Sequence, residues 1–447
     1  MAVSMGVEEE FHIVDVESRM LVPRAPEVLD RLPRRGFAHE FQRSVVESNS
    51  GVHRSLDALH TDLARSRRTL AAAAAPLGLA PVAAGTPPLA RLGTVAATAH
   101  PRYLHMADEY RRVADEQLIC GAQVHVDVPD RDTAVRAICV LAPWLPTMLA
   151  LSASSPCWLG ADTGYASWRT LLWQRWPSTG PAGCFASAAE YDAAVAELVR
   201  SGVVSDPGMV YYDVRPSAHQ QTLELRICDA CPRLETVLLI AGLFRALVVD
   251  ACETVQHRPA ERTPGEHRCP PARQQWLRAA TWRAARSGLD GDLLDPATGQ
   301  PAPADAVVRA LLARSRPTLE AYGDWSTVVE LTEHTLRGGT AARRLRQVAA
   351  TAGLPAAVDL LIAQTRTART VDAGRARLGR TGSPARRRPN RPARLAPHRP
   401  STPLCRRSRI AAIEERACAC SADPATAALL PRAPQHWSDG GEPACAG

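Results

Sequence analysis

Three short segments of this chain place ionisable or polar side chains at every second residue. In residues 6–13, GVEEEFHI, alternation sends Glu8, Glu10 and His12 one way and Val7, Glu9, Phe11 and Ile13 the other. In 123–128, QVHVDV, Gln123, His125 and Asp127 oppose valines. In 222–228, TLELRIC, Thr222, Glu224, Arg226 and Cys228 oppose Leu223, Leu225 and Ile227. Each segment reads as a strand with one polar and one apolar face, Glu9 being the misfit. A half-exposed sheet shows the same alternation with Lys, Thr and Ser on its wet side. Here the polar faces carry Glu, Asp, His and Arg instead. Carboxylates gathered on one sheet repel one another unless divalent cations hold them. Carboxylates with one imidazole suit Mg2+ or Mn2+, and a bound cation can hold phosphate.

Composition narrows the chemistry further. All 53 basic residues among the 447 are arginine, and lysine is absent. That excludes Schiff-base catalysis, a pyridoxal-phosphate lysine and any phosphate loop ending in Gly-Lys-Ser/Thr. Phosphate contacts must come from arginine, backbone N–H groups or metals. The charge is unevenly spread. Residues 371–447 hold 14 Arg against 6 acidic residues and 10 of the 36 prolines, whereas the part before holds 39 Arg against 40 acidic residues. The sequence therefore divides into a near-neutral globular domain, 1–370, and an Arg/Pro-rich tail, 371–447, expected to be disordered.

The elements that must position the polar strands are mostly helical. Leucine spacing predicts a helix over 54–75 that runs into a polyalanine stretch. Further helices are expected over 102–117, 131–150 and 233–256, the last apolar nearly all round and so buried. From 272 to 368 the pattern is again helical, with breaks near Asp295-Pro296, Gly338-Gly339 and Gly353. The opening MAVSMGVEEEF lacks the basic and apolar regions of a secretory signal, and Pro143 and Pro146 interrupt the longest apolar run. A cytoplasmic protein with no membrane span and with its 12 cysteines reduced is expected.

At these residues the sequence resembles the bacterial carboxylate-amine ligases, or type 2 glutamate–cysteine ligases. Their opening G-x-E-x-E strand is matched by Gly6, Glu8 and Glu10, and a following acidic residue and V-E pair by Glu40 and Val46-Glu47. A C-G-x-H-V-H-V-G strand looks like CGAQVHVDV, with His125 on its second histidine. SASSPCWLGADTGYASWR brings Arg169, and YYDVRPS with TLELRICD brings Asp213, Arg215, Glu224, Arg226 and Asp229. Two departures stand out: Gln123 where the family usually has histidine, and Asp127 where it usually has glycine.

The resemblance implies an α+β, glutamine synthetase-like fold: a curved, largely antiparallel sheet with helices on its convex face. It implies ATP and Mg2+ or Mn2+, with ATP phosphorylating a substrate carboxylate that an amine then attacks. Glutamate and cysteine are the implied small-molecule substrates, and a homodimer is compatible with it. Glu8, Glu47, His125 and Glu224 are expected to hold metal, with Glu10 and Glu40 as additional ligands. Arg226 is expected to contact the transferring phosphoryl group, with Arg169 catalytic and Arg215 on phosphate or substrate carboxylate. A guanidino phosphotransferase of the same fold, stopping at phosphoryl transfer, is the alternative. Nucleic-acid binding through the basic tail is the weaker one, since the tail lacks aromatic interleaving.

Overall fold

The computed structural model describes residues 3–93, 96–257 and 271–366, all within a unit of residues 1–375. The expected tail, 371–447, lies outside the described residues. The strands are β1 (Met5–Asp15), β2 (Phe37–His39), β3 (Val45–Asn49), β4 (Leu79–Val82), β5 (Ala122–Asp127), β6 (Cys157–Trp158), β7 (Ala161–Asp162), β8 (Val214–Pro216), β9 (Thr222–Leu225), β10 (Asp292–Leu294) and β11 (Pro301–Pro303). Seven of them form one sheet in the order β2-β3-β1-β5-β9-β8, with β4 also on β1, and every pairing is antiparallel. The pairs β6-β7 and β10-β11 are separate.

Strand β1 organises the sheet because its length lets three partners share it. Its beginning pairs with β5, its middle with β3 and its end with β4. The apolar face seen in the sequence becomes the core. Val7, Val124, Val126, Leu223 and Leu225 cluster with the buried helix Leu234–His257. Phe11, Ile13 and Val46 cluster with Leu70 and Ala74 of helix Leu56–Ala74. Burial of each such side chain contributes about 1.5–3 kcal/mol, which fixes the register that aims the polar face outward from the core. Ser55 caps the second helix, its side chain accepting from Ala58 N–H.

Glu9, the misfit, points into this core and is 2% exposed. Arg67 of helix Leu56–Ala74 meets it with two N–H donors and gives two more to the carbonyls of Pro232 and Cys231, both at 2.7 Å. Its guanidinium also lies 5.7 Å from the Phe11 ring centre. The ion pair thus ties sheet, helix and the segment before helix Leu234–His257 together.

Several expectations are corrected. The helix expected over 102–117 is divided into Pro101–Tyr110 and Arg112–Asp115, because Arg111 between them takes a positive φ of 49°. β2, β3, β4 and β8 gave no alternation long enough to read, and Pro81 inside β4 resembles a turn signal. The cysteines are not all thiols. Cys139 and Cys184 form a disulfide with Cα atoms 5.1 Å apart, although 45 residues of sequence separate them. Two helical stretches, Arg131–Ser152 and Trp325–Arg366, are long and apolar enough to cross a membrane by length and composition alone. The first is 72% buried within the protein, and the second is broken by non-helical backbone at Gly353.

Candidate active site

The register turns three polar strand faces into two acidic clusters. Gly6 stands opposite His125, and His125 opposite Glu224, so β1, β5 and β9 bring Glu8, His125 and Glu224 together. Their ligand atoms lie within 4.8 Å of one another. Glu10 stands opposite Glu47 across β1 and β3, and Glu40, just beyond β2, joins them within the same limit. All six expected metal ligands are therefore on one face, divided three and three.

In the first cluster, His125 Nδ1 is 3.0 Å from Thr222 Oγ1, which orients the ring. Its Nε2 faces Glu8 Oε1 at 3.3 Å but makes no hydrogen bond there, a buried nitrogen aimed into the cluster without a satisfied partner. Glu224 is held by Arg215, whose Nε donates at 2.9 Å, and by Arg226. Burial alone would push the Glu224 carboxyl up. Arg226, Arg215 and His125 reverse this and bring it down to about 2. It stays an anion throughout the physiological range.

The second cluster behaves in the opposite way. Burial, then the charges of Glu10 and Glu47, push Glu40 up to about 8. Burial, then Glu8, push Glu47 up to about 7 despite a 2.8 Å hydrogen bond from Asn49. Glu10 accepts from Gly121 N–H at 2.6 Å and from Gln123 Nε2 at 2.7 Å. Tyr103 O–H reaches Glu40 at 3.3 Å. Three carboxylates this close, with protons standing in for missing countercharge, fit a divalent cation, as does the mainly oxygen donor set of both clusters.

This arrangement sets a pH dependence. Because the folded-state values of Glu40 and Glu47 lie above the ordinary carboxylate value of 4.5, the folded protein holds protons that the unfolded chain releases. Stability in metal-free buffer is therefore expected to fall as pH rises from about 4.5 to 8. Thermal melts with chelator at several pH values should show Glu40→Gln flattening this slope relative to the unaltered chain. Parallel slopes would refute the shift.

The arginines differ in role. Arg226 lies within electrostatic range of Glu8, Glu10, Glu40, Glu47 and Glu224, so one cation serves both clusters. Arg215 also donates to the carbonyls of Gly208 and Val210. Arg169 is buried, donates to the carbonyls of Ile227 and Arg226, and stacks 4.7 Å from the Trp173 ring centre. A Cβ on Gly121 would come within 2.6 Å of its Nη2, so the glycine makes room for the guanidinium. Asp229 is structural: it accepts from Ser154 N–H, Ser155 Oγ and Ser167 Oγ, all within 3.0 Å. His12 does not join either cluster; it is fully buried, and burial pushes its ring down to about 3. The Cys228 and Cys231 thiols are buried and pushed up, Cys228 to about 12. Sequence reasoning missed Tyr103 and Thr222 as partners of the clusters. Trp173 and Trp176 pack in a core with Phe41 and Tyr191. Both tryptophans line a cavity beside Glu10 and Glu40.

The model of glutamate–cysteine ligase family 2 matches residues 4–374. The chain belongs to glutamate–cysteine ligase family 2. A Frankia alni protein bearing the provisional name glutamate–cysteine ligase 2-3 is 54% identical over 365 residues, covering 81% of this chain and 42% of that protein. A Mycolicibacterium smegmatis protein provisionally named glutamate–cysteine ligase 2-2 is 48% identical, covering 82% of this chain and 91% of its own length. The chain spans less than half the length of the first curated relatives it matches. Among solved structures, the glutamate–cysteine ligase of Francisella tularensis in complex with AMP superposes with a TM-score of 0.59 at 12% identity, covering 82% of this chain and 89% of that one. A bifunctional glutathione synthetase from Pasteurella multocida gives the same score at 17% identity, covering 81% and 52%. The fold is thus the glutamine synthetase-like one that the family resemblance implied.

Proposed function

We propose that this chain is an ATP-dependent carboxylate–amine ligase that joins glutamate to cysteine through an acyl phosphate. A carboxylate is a poor electrophile until its oxygen carries phosphate. The glutamate side-chain oxygen attacks the γ-phosphorus and ADP departs. The amine nitrogen then attacks the acyl carbon, phosphate departs, and the nitrogen loses its proton. The observation that carries this reading is the pair of acidic clusters sharing Arg226 on one sheet face.

Glu8, His125 and Glu224 would hold one divalent cation, Mg2+ or Mn2+, and Glu10, Glu40 and Glu47 a second. Such cations neutralise the triphosphate and the charge that grows during transfer. Arg226 binds the transferring phosphoryl group through its guanidinium. Arg215 orients Glu224 and stands on the same strand face, within reach of phosphate or substrate carboxylate. Arg169 holds the main chain under Arg226 and Ile227, so that it positions Arg226. A cytoplasmic location, where ATP is supplied, goes with this reading, and the globular domain 1–370 would carry the reaction without the tail.

With ATP, Mg2+, glutamate and cysteine, the protein should release ADP, phosphate and a dipeptide in equal amounts. Mass spectrometry and a phosphate assay read this directly. No phosphate release across a panel of amino acids and amines would overturn the ligase reading, and a phosphorylated guanidino product would replace it with phosphotransfer.

A further inference from the structure

Beside the Glu10–Glu40–Glu47 cluster lies a cavity of about 70 Å3, walled by Phe41, Trp173, Trp176 and Tyr211. One water takes roughly 10–15 Å3 of such space, so the cavity admits a ligand fragment of about five heavy atoms. Glu10, Glu40 and Gln42 line it too and have protein partners, but five atoms of its polar lining have none. Gln123 is 2% exposed, and its Nε2 donates to Glu10. Because a carboxylate only accepts, this fixes the orientation of the amide and leaves Gln123 Oε1 buried without a partner. Gln117 Oε1 is a second such acceptor. Trp176 Nε1 and the Nε atoms of Arg169 and Arg226 are buried donors without partners. Leaving buried polar atoms unpaired is costly, and these residues all line one cavity.

The complement of two neutral acceptors and three donors, two of them cationic, is a group with N–H bonds at one end and a carboxylate at the other. An α-amino-acid head has that chemistry, and its nitrogen, Cα and carboxyl group make five heavy atoms. We infer that this cavity seats the ammonium–carboxylate head of an amino-acid substrate, and that Gln123 is its specificity-determining residue. Oε1 of Gln123 accepts from the ammonium while Nε2 keeps Glu10 in place. The substrate carboxylate turns toward Arg169, Arg226 and Trp176, and the aromatic walls exclude water. The inference deepens the ligase reading and rests on it for the reaction, but not for the binding.

The test uses the full-length chain with Gln123→Met and Gln117→Met, each checked for intact fold by circular dichroism. Titration calorimetry with glutamate and with cysteine, without ATP, measures binding apart from turnover. Steady-state rates give the KM of each substrate. Both variants should weaken the same amino acid by tenfold or more in Kd and KM, with the other amino acid and ATP within about twofold. The weakened substrate identifies the occupant, whether acid or amine. A rise in the KM of ATP instead, no change for either amino acid, or a change in Gln123→Met alone would overturn the inference, the last by tracing the effect to a displaced Glu10. Should the ligase assay fail while amino-acid binding still depends on both glutamines, the reaction is wrong and the site stands.

Discussion

Glu224→Gln is expected to lower turnover by about 10³-fold or more, the scale seen when a group that meets developing charge is removed. Glu224 sits where Arg215, Arg226 and His125 converge, and these three hold its carboxyl at about 2. It is therefore a fixed negative charge and cannot work as a proton shuttle near neutrality. Glutamine keeps the shape and still accepts from Arg215, but it removes the charge that would anchor a cation and pair with Arg226. Removing one partner of a buried pair also costs about 3–5 kcal/mol, so stability must be followed alongside rate. The sign of that term is set: with a folded-state value below 4.5, Glu224 stabilises above the unfolded value and loses this as pH falls toward 2. His125→Ala separates the two effects, because His125 hydrogen-bonds Thr222 rather than Glu224 and, with 16% of its side chain exposed against 3% for Glu224, lies nearer solvent. It should abolish metal-dependent turnover with little change in melting temperature. Mn2+ binding, followed by electron paramagnetic resonance, should weaken in both variants. Activity retained by either would refute the assignment of the first cluster.

How much of this could be read before the fold follows from what alternation encodes. Period two states which residues of one strand share a face, so Glu8 with Glu10, His125 with Gln123, and Glu224 with Arg226 were readable. It is silent about register between strands. The division into two clusters depends on Glu10 standing opposite Glu47 and on His125 standing opposite both Gly6 and Glu224. Glu40 and Glu47 lie on or beside strands of 3 and 5 residues, too short for a pattern, and only the family resemblance pointed to them. Tyr103 had no local signal, since a tyrosine on a helix has ordinary packing roles, and alternation put Thr222 on the face of Glu224 without naming His125 of the neighbouring strand as its partner. The disulfide was invisible for the same reason: nothing in the sequence near Cys139 specifies that the loop at Cys184 returns to it. Glu9 broke the apolar pattern, and a broken pattern inside a core requires a buried partner that the pattern itself does not name.

That partner makes Arg67→Met the substitution with the largest expected effect on stability. Arg67 and Glu9 are 2% exposed each, and the arginine satisfies the carboxylate and two carbonyls at once. Methionine matches the stem of the side chain but strands Glu9 as a lone buried anion and leaves the carbonyls of Cys231 and Pro232 unpaired. The loss should be about 3–5 kcal/mol, enough to remove much of the roughly 5–15 kcal/mol by which a folded domain is usually stable. Pairing the change with Glu9→Leu removes the stranded charge, and the double variant should regain most of the loss. Urea unfolding of the four proteins at neutral pH measures each arm of the cycle. Because Glu9 lies between Glu8 and Glu10 on β1 but points away from them, the double variant should retain its ligand-binding face. If it melts near the unaltered chain yet has lost turnover, the ion pair sets the register of β1 against β3 and β5 as well as holding the core. If Arg67→Met alone unfolds at unchanged urea concentration, the pair contributes nothing net and the helix is held by Leu70, Ala74 and Phe11 without it.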